Sequence, residues 1–292
     1  MTELADPRYR DIDTWDDVTA LRAMLEGQMT AIAAITPALP ALADVVAAAV
    51  PRLRAGGRLV YAGAGTSIRV AVQDGIELGP TYDWPETRTL YLIAGGEAAL
   101  MLGIEGAEDS AEDGRAQVEN NAIGPNDVVI GLAASGRTPF TVEVVKASRA
   151  AGALTVGIAC NPDAVLCALA DHGILAETGA EAVAGSTRMK AGTAQKAILN
   201  LLSTQIMLRL GHVHRGLMVD MRPQNIKLRG RATGMVATLA QVDAPIAQAA
   251  LEQTGWKIKP AILVAQGYDL PAAERALDKA QGVLRNVEGA KA

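Results

Sequence analysis

Two short segments combine glycine with hydroxyl side chains, a combination that suits the binding of a phosphate group. They are Gly63–Ser67, with the sequence Gly-Ala-Gly-Thr-Ser, and Ala134–Thr138, with the sequence Ala-Ser-Gly-Arg-Thr. Glycines let the backbone approach an anion closely, and hydroxyls and the N–H groups at a helix start can donate hydrogen bonds to it. Either segment alone could equally be a tight turn or a helix cap. Two of them together indicate a site for a phosphorylated small molecule.

A nucleotide or a nucleic acid is a weaker candidate ligand. The dinucleotide fingerprint needs a third glycine three residues after the second, and this chain has Ile68 there. The chain has 27 Lys and Arg against 32 Asp and Glu, a formal net charge of −5, and its cations do not cluster. Nucleic-acid binding needs clustered cations, so we expect no nucleic-acid partner.

Two glutamates could supply acid–base chemistry. Glu77 lies about one helix length after the first glycine segment, and its neighbours Ile76 and Leu78 are apolar, which would favour a protonated carboxyl group. Glu108 lies in an acidic stretch that also contains Asp109. Taken alone, Glu77 could be an ordinary carboxylate at a helix end, and Glu108 part of a solvated surface.

A cationic segment, Ser186–Lys190, precedes a long apolar-periodic stretch. Lys190 or Arg188 could contact a sugar or a carboxylate, and Ser186 could cap the following helix. Solvated cations beside a capped helix explain the same pattern equally well.

The elements that must position these residues alternate between strand and helix. Short apolar runs typical of buried strands occur at Leu59–Ala62, Leu90–Ala94, Val128–Ala134, Leu154–Cys160 and Ile174–Ala176. Stretches with room for a helix separate most of them, which predicts right-handed crossovers. We therefore expect an α/β fold with a doubly wound, five-stranded parallel sheet. Both glycine segments follow strands of this sheet and should meet at one edge of it.

The helix signals divide the chain into three parts. Val18–Leu53 reads as two helices broken at Pro37 and Pro40, and Thr138 with Pro139 reads as the N-cap and first residue of another helix. A long helix is predicted at about 187–210, ended by Gly211. Short helices follow residue 231. We predict an N-terminal arm with helices at 1–57, a central domain at 58–230 and a small helical C-terminal domain at 231–292.

Composition restricts the class of protein. Half the residues are apolar but only 3% are aromatic, which predicts an aliphatic core. The two cysteines and three histidines resemble neither a disulfide framework nor a zinc site. The first residues are polar and acidic, unlike a signal peptide, and no apolar run looks long enough to cross a bilayer. We expect a soluble, cytoplasmic protein that does not bind membranes.

Beyond the two glycine segments, the sequence resembles the N-acetylmuramic acid 6-phosphate etherases, a family within the sugar isomerase (SIS) domain proteins. The similar stretches span most of residues 58–230. They are Gly63–Ser67 with Arg69, Ile93–Glu97, Glu105–Asp109, Gly131–Pro139, Cys160–Pro162, Gly185–Lys196, Leu199–Thr204 and Leu217–Asp220. Glu105–Asp109 and Ser186–Lys196 are specific to these etherases.

The resemblance implies an etherase that releases D-lactate from N-acetylmuramic acid 6-phosphate and leaves N-acetylglucosamine 6-phosphate, without a metal or redox cofactor. It also implies a homodimer with active sites near the interface. By this resemblance Glu108 would be the base at C2 and Glu77 the acid on the lactate oxygen. The expected substrate-binding residues are Gly65, Thr66, Ser67, Ser135, Gly136, Arg137, Thr138, Ser186 and Lys190.

Two departures from the family pattern bear on substrate choice. Ile68 stands where these proteins usually have glycine, and Leu78-Gly79 stands where they usually have Cys-Pro. A bulky isoleucine could reshape the sugar pocket, which leaves a non-catalytic sugar-phosphate sensor as the alternative. An aldose–ketose isomerase needs only one base and would not explain the etherase-specific stretches.

Overall fold

A five-stranded parallel sheet with the strand order β2-β1-β3-β4-β5 is the centre of the computed structural model, which describes residues 1–287. Every strand predicted from an apolar run is present, and all four strand pairs within this sheet are parallel, so the predicted fold class is confirmed. The strands are β1 Leu59–Gly63, β2 Thr89–Ile93, β3 Val128–Leu132, β4 Leu154–Ala159 and β5 His172–Leu175.

The strand order fixes where a ligand can bind. In this order β2 lies on one side of β1 and β3 lies on the other. The connection after β1 therefore runs towards one edge of the sheet and the connection after β3 towards the opposite edge. Gly63 pairs with Leu132 at the ends of these two neighbouring strands. Open parallel sheets bind ligands at such a switch point. Both glycine segments start there.

Helices cover both faces of the sheet. The helices up to the long one are α1 Asp17–Ala33, α2 Leu39–Arg54, α3 Gly65–Tyr82, α4 Ala111–Asn120, α5 Pro139–Ala150, α6 Val165–Leu169 and α7 Lys190–Leu210. On one face Val60 and Val129 pack with Phe140 and Val144 of α5. The alternate strand residues are buried as well, and α2 packs on β3, β4 and β5. Burial on both faces explains why the strands read as continuous apolar runs.

The chain forms two compact units, which are described separately. The first contains Met1–Ile76 and Thr87–Ser203, and the second contains Glu77–Glu86 and the chain from Thr204 onward. The division at residues 58 and 231 expected from the sequence stays a prediction about domain organisation.

The N-terminal helices break where proline predicted. A short 3-10 turn, Thr36–Ala38, separates α1 from α2, and Pro40 lies in the first turn of α2. Asp17–Arg54 is nevertheless long and apolar enough to cross a membrane, judged by length and composition only. The expectation that no such run exists was therefore wrong. The test is weak evidence for a membrane span, because a buried core helix and a signal sequence also pass it.

The long helix α7 starts at Lys190, three residues later than predicted. The buried Glu181 carboxylate accepts hydrogen bonds from the backbone N–H groups of Lys190 and Ala191, at 2.9 and 3.0 Å. Glu181 therefore satisfies the helix start, and Ser186, which the sequence offered as a candidate cap, lies four residues before the first helical residue. The other end agrees with the prediction, because Gly211 follows α7 with φ +92°.

The second unit holds a hairpin and the C-terminal helices. The hairpin, β6 Val213–His214 with β7 Leu217–Met218, was not predicted, because two-residue strands show no periodicity. The short helices expected after residue 231 are confirmed, although the first begins earlier. They are α8 Ile226–Ala240, α9 Ala244–Gln253, α10 Ile258–Ala265 and α11 Leu270–Lys279, and their apolar faces form one core.

A buried carboxylate ties the starts of β1 and β3 together. Asp127 accepts hydrogen bonds from the guanidinium and backbone N–H of Arg58 and from the backbone N–H of Gly124. Burial alone would raise the pKa of Asp127, but these donors outweigh burial and the pKa is lowered.

Replacing Asp127 by asparagine should lower the free energy of unfolding by about 2 kcal/mol at neutral pH, because bonds to an ionised carboxylate are strong. The folded pKa lies below the usual 3.8. The extra stability is therefore present above that value and is lost as the pH falls through the folded pKa. Urea unfolding should give a difference in the free energy of unfolding between parent and variant that is constant from about pH 7 to about pH 5. This difference should become smaller below about pH 4. Asp44→Asn, at an exposed aspartate of α2, should shift stability by less than about 0.5 kcal/mol. A difference in the free energy of unfolding that is as large at about pH 3 as at about pH 7 would contradict the assignment.

Candidate active site

The first glycine segment becomes the first turn of α3. Gly65 takes φ +52°, in the left-handed region, and starts the helix directly after β1. Thr66 and Ser67 follow in the first turn, whose backbone N–H groups have no carbonyl partner within the helix. Ser67 is buried, and its hydroxyl donates to Oε1 of Gln195 at 3.0 Å. This turn presents several N–H donors at the end of β1.

The second glycine segment forms the turn between β3 and α5. Gly136 takes φ +67°, and a Cβ there would overlap the Cβ of Ala164, so only glycine fits. Thr138 occupies the N-cap position and Pro139 the first helical position, as predicted. The Thr138 hydroxyl makes no capping hydrogen bond. Thr138 therefore occupies the N-cap position of α5, but its hydroxyl is not used to cap the helix.

The two turns line one cleft of about 510 Å³ that lies wholly in the first unit. Its lining includes residues of both glycine segments, the acidic pair Glu108-Asp109, Thr187 of the cationic segment, and Glu3, which the sequence did not single out. The predicted site residues among the lining are Gly65, Thr66, Ser67, Ser135, Arg137, Thr138 and Glu108. The structure thus brings the two predicted phosphate loops and one predicted catalytic carboxylate together. Their roles in binding and catalysis stay predictions.

The Glu108 loop, which we define as residues 94–110, carries this carboxylate from β2 towards α4. Glu108 lies in a 3-10 turn, Ala107–Asp109, and is exposed at the cleft. The guanidinium of Arg69 on α3 donates to the carbonyls of Leu100 and Ala99, both at 2.9 Å, and of Leu102 at 3.4 Å. One side chain therefore ties the loop to α3, the helix that begins in the first glycine segment.

The N-terminal arm contributes a wall of the cleft that the sequence did not predict. Thr2 is fully buried, and its backbone N–H donates to the Asn161 side-chain oxygen at 2.9 Å. The Asn161 amide in turn donates to the Thr2 hydroxyl and to the carbonyl of Ala134. This anchoring places Glu3 at the cleft. Contacts between residues 159 positions apart leave no local signal in the sequence.

The cationic segment contributes differently from the expectation. The Lys190 side chain is largely buried, and its ammonium donates to the carbonyl of Ala180 at 2.9 Å. Among the described residues that line the cleft, this segment is represented by Thr187 and not by Ser186 or Lys190. Substrate binding by Ser186 and Lys190 stays a prediction, and Lys190 already has a structural partner.

Glu77 belongs to the second unit and lies near the end of α3. Its apolar neighbours in sequence do not enclose it. Glu77 is exposed, Ile76 is 61% exposed, and Leu78 is buried. Adjacent helical residues point about 100° apart, so sequence neighbours are poor guides to the environment of a side chain. The apolar sequence neighbours of Glu77 therefore do not bury its carboxyl group in the single chain, and its role as the acid stays a prediction.

The acidic residue of α3 that is buried is Asp74. It accepts hydrogen bonds from the Tyr61 hydroxyl at 2.9 Å, the Asn200 amide at 2.6 Å and the Ser203 hydroxyl at 3.1 Å. Burial raises the pKa of Asp74, and the three donors offset part of the rise. Asp74 links α3 to β1 and α7. Sequence reasoning missed it, because an isolated aspartate on a helix usually lies on the surface.

Comparison with known proteins decides the family. The curated N-acetylmuramic acid 6-phosphate etherase of Deinococcus radiodurans is 46% identical over 289 residues, which are 99% of this chain and 95% of the relative. That of Streptomyces coelicolor is 45% identical over 285 residues, with 97% and 92% coverage. The chain belongs to the N-acetylmuramic acid 6-phosphate etherase family. The resemblance inferred from the motifs is confirmed.

Broader comparisons agree on the fold of this etherase. A family model described as the glucokinase regulatory protein N-terminal SIS domain matches residues 41–149. A phosphoheptose isomerase structure from Francisella tularensis superposes with a TM-score of 0.52 at 15% identity, and covers 66% of the etherase chain and 100% of the isomerase. A structure from Escherichia coli CFT073 gives 0.52 at 14% identity, with 69% and 95% coverage. These likenesses concern the fold alone.

The isoleucine that departs from the family pattern does not face the etherase cleft. Ile68 is fully buried, its Cβ lies beside Gly63, and it is not part of the described cleft lining. Ser67, the preceding residue of the helix, is part of that lining. Ile68 therefore does not line the described cleft, and its effect on substrate choice stays a prediction.

Proposed function

We propose that this etherase cleaves the lactyl ether of N-acetylmuramic acid 6-phosphate by eliminating D-lactate and adding water, giving N-acetylglucosamine 6-phosphate. The reaction would make it a carbon–oxygen lyase. The observation that carries the proposal is that Glu108 shares one cleft with both glycine-hydroxyl loops. A cytoplasmic location is part of the proposal, because a phosphorylated sugar is an intracellular metabolite.

The chemistry needs two carboxyl groups in opposite protonation states. In the open-chain sugar the C1 aldehyde acidifies the C2 proton, so a base can remove it before the C3 ether bond breaks. Glu108 would be this ionised base, and Glu77 the acid that protonates the departing lactate oxygen. Water then adds to the unsaturated aldehyde, with Glu77 acting in reverse to deliver it.

Incubation with N-acetylmuramic acid 6-phosphate is the direct test, with free D-lactate and N-acetylglucosamine 6-phosphate as products in equal amounts. A protein that binds N-acetylglucosamine 6-phosphate but releases no lactate would contradict the lyase and favour a sensor on the same fold.

The two loops are proposed to hold the 6-phosphate. Helix N–H groups at α3 and the hydroxyls of Ser67, Ser135 and Thr138 would donate to its oxygens, and Arg137 would add positive charge. Support comes from the cleft lining and from the Thr138 hydroxyl, which makes no capping bond.

Thr138→Ala or Ser135→Ala should raise KM for the 6-phosphate substrate about ten-fold, because a hydrogen bond to a charged group contributes about 1.5–3 kcal/mol. Affinity for unphosphorylated N-acetylglucosamine should not change. Thr36→Ala, at an exposed threonine between α1 and α2, is the matched control and should behave like the parent. Unchanged preference for the phosphorylated sugar in both cleft variants would refute the assignment.

A homodimer with active sites near its interface is also proposed, and an apolar stripe on α1 supports it. Large side chains recur every three or four residues along one face of this helix, and each is 48–65% exposed in the single chain. They are Val18, Leu21, Leu25, Met29 and Ile32. A continuous exposed stripe of this kind is typical of an interface.

Light scattering should give a mass about twice the 30.3 kDa of the chain at micromolar concentration. Leu25→Glu together with Met29→Glu should shift the protein towards monomer, because the introduced charges would be buried against a partner. Glu26→Lys, about 100° round the same helix, should leave the mass unchanged. A stable monomer of the parent protein would contradict the dimer.

A further inference from the structure

A buried amide lies directly behind the first phosphate turn. Gln195 on α7 is 1% exposed, and its Oε1 accepts the hydrogen bond from the Ser67 hydroxyl. Its Nε2 is buried and has no hydrogen-bond partner among residues 1–287. Buried amide nitrogens are normally paired, so this one needs an explanation.

Close packing brings this amide to the phosphate turn. A Cβ on Gly192, three residues before Gln195, would lie 3.3 Å from the Thr66 methyl group. The absence of a side chain at Gly192 lets α7 approach the first turn of α3, so the Gln195 head group reaches Ser67.

The observed pairing conflicts with a role of Ser67 in holding phosphate. A serine hydroxyl has one proton to donate. In the structure that proton goes to Gln195 Oε1. A phosphate oxygen only accepts hydrogen bonds, so Ser67 can bind it only if its proton is released from Gln195.

We propose that Gln195 is a positioning residue that sets the donor direction of the Ser67 hydroxyl. A half-turn of its carboxamide exchanges oxygen and nitrogen at nearly the same positions. Nε2 then donates to Ser67 Oγ, and the Ser67 proton turns to the substrate phosphate. The rotation gives Gln195 Nε2 an acceptor and leaves Gln195 Oε1 without a donor. Proteins tolerate a buried carbonyl oxygen without a donor more readily than a buried N–H without an acceptor. The inference rests on the proposed function, because it assumes that Ser67 meets the 6-phosphate.

Two substitutions separate the parts of this proposal. Gln195→Glu supplies a carboxylate that holds the Ser67 proton and adds negative charge, while Gln195→Met keeps the length and removes the amide. Calorimetry with N-acetylglucosamine 6-phosphate should show affinity reduced about ten-fold or more for Gln195→Glu and less for Gln195→Met. Affinity for N-acetylglucosamine without phosphate should be that of the parent.

Kinetics distinguish positioning from a general loss of structure. The Gln195 variants should raise KM for the ether substrate while kcat stays within about three-fold, since phosphate is held equally before and in the transition state. In a Ser67→Ala background, Gln195→Met should have almost no further effect on affinity, because the pair acts as a unit. Gln117→Met removes another amide bonded within the same unit and should keep the parent preference for phosphate.

The outcomes are distinct. Parent-like phosphate preference in both Gln195 variants, or additive effects of Ser67→Ala and Gln195→Met, would overturn the positioning role while the etherase proposal stands. A parent protein that binds the two sugars equally would instead overturn the phosphate site, and with it this inference.

Discussion

Glu108→Gln should lower the rate of lactate release by about 10²–10⁴-fold, because general acid–base steps typically contribute that much. Glutamine has nearly the same shape but cannot accept the C2 proton, so KM should change little. The same variant should stop exchange of the C2 proton of N-acetylglucosamine 6-phosphate with deuterated solvent. A D-lactate assay and mass spectrometry of the product measure the two effects.

Glu105→Gln is the matched control for this change. Glu105 lies in the same Glu108 loop and is exposed, but it is not part of the described cleft lining. The Glu105→Gln variant should release lactate and exchange the C2 proton at nearly the parent rates. Exchange at the parent rate in Glu108→Gln would exclude Glu108 as the base.

Glu77→Gln should also lower lactate release by about 10²–10⁴-fold, yet it should keep part of the C2 exchange. The base would still remove the proton, but no acid would protonate the lactate oxygen. Deuterium incorporation into N-acetylglucosamine 6-phosphate without lactate release is therefore the expected signature.

Glu86→Gln, at another exposed glutamate of the second unit, should be indistinguishable from the parent. If Glu77→Gln abolishes exchange while Glu108→Gln keeps it, the two roles are reversed. Lactate release at the parent rate in both variants would refute the carboxylate pair altogether. In the homodimer proposed above, a second subunit near the active site would complete the surroundings of the exposed Glu77.

Features encoded within a few consecutive residues were predictable. The strands were recognisable as apolar runs because they are buried on both faces. The two turns after β1 and β3 were recognisable from glycine next to hydroxyl side chains. The start of α5 was correct to the residue, because Thr138 and Pro139 carry a local helix-start signal. The meeting of the two turns in one cleft followed from topology alone.

Features made by distant residues were not predictable. The start of α7 depends on Glu181, nine residues earlier, and the anchored arm depends on Thr2 meeting Asn161. Asp74 and Asp127 are buried although single acidic residues in sequence usually indicate surface. Sequence neighbours did not indicate the exposure of Glu77, because consecutive residues on a helix face different directions.

The hydrogen bonds from the Arg69 guanidinium to the Glu108 loop, here called the Arg69 clamp, have an evolutionary consequence. All three of its acceptors are main-chain carbonyls, which every amino acid possesses. The clamp is therefore indifferent to the side chains at the tip of the loop, where Met101 is 88% and Leu102 60% exposed. Mutations can accumulate at these two positions among descendants of this chain while the proposed base keeps its place. Such a tip is also a natural place to graft new side chains when a different substrate is to be recognised.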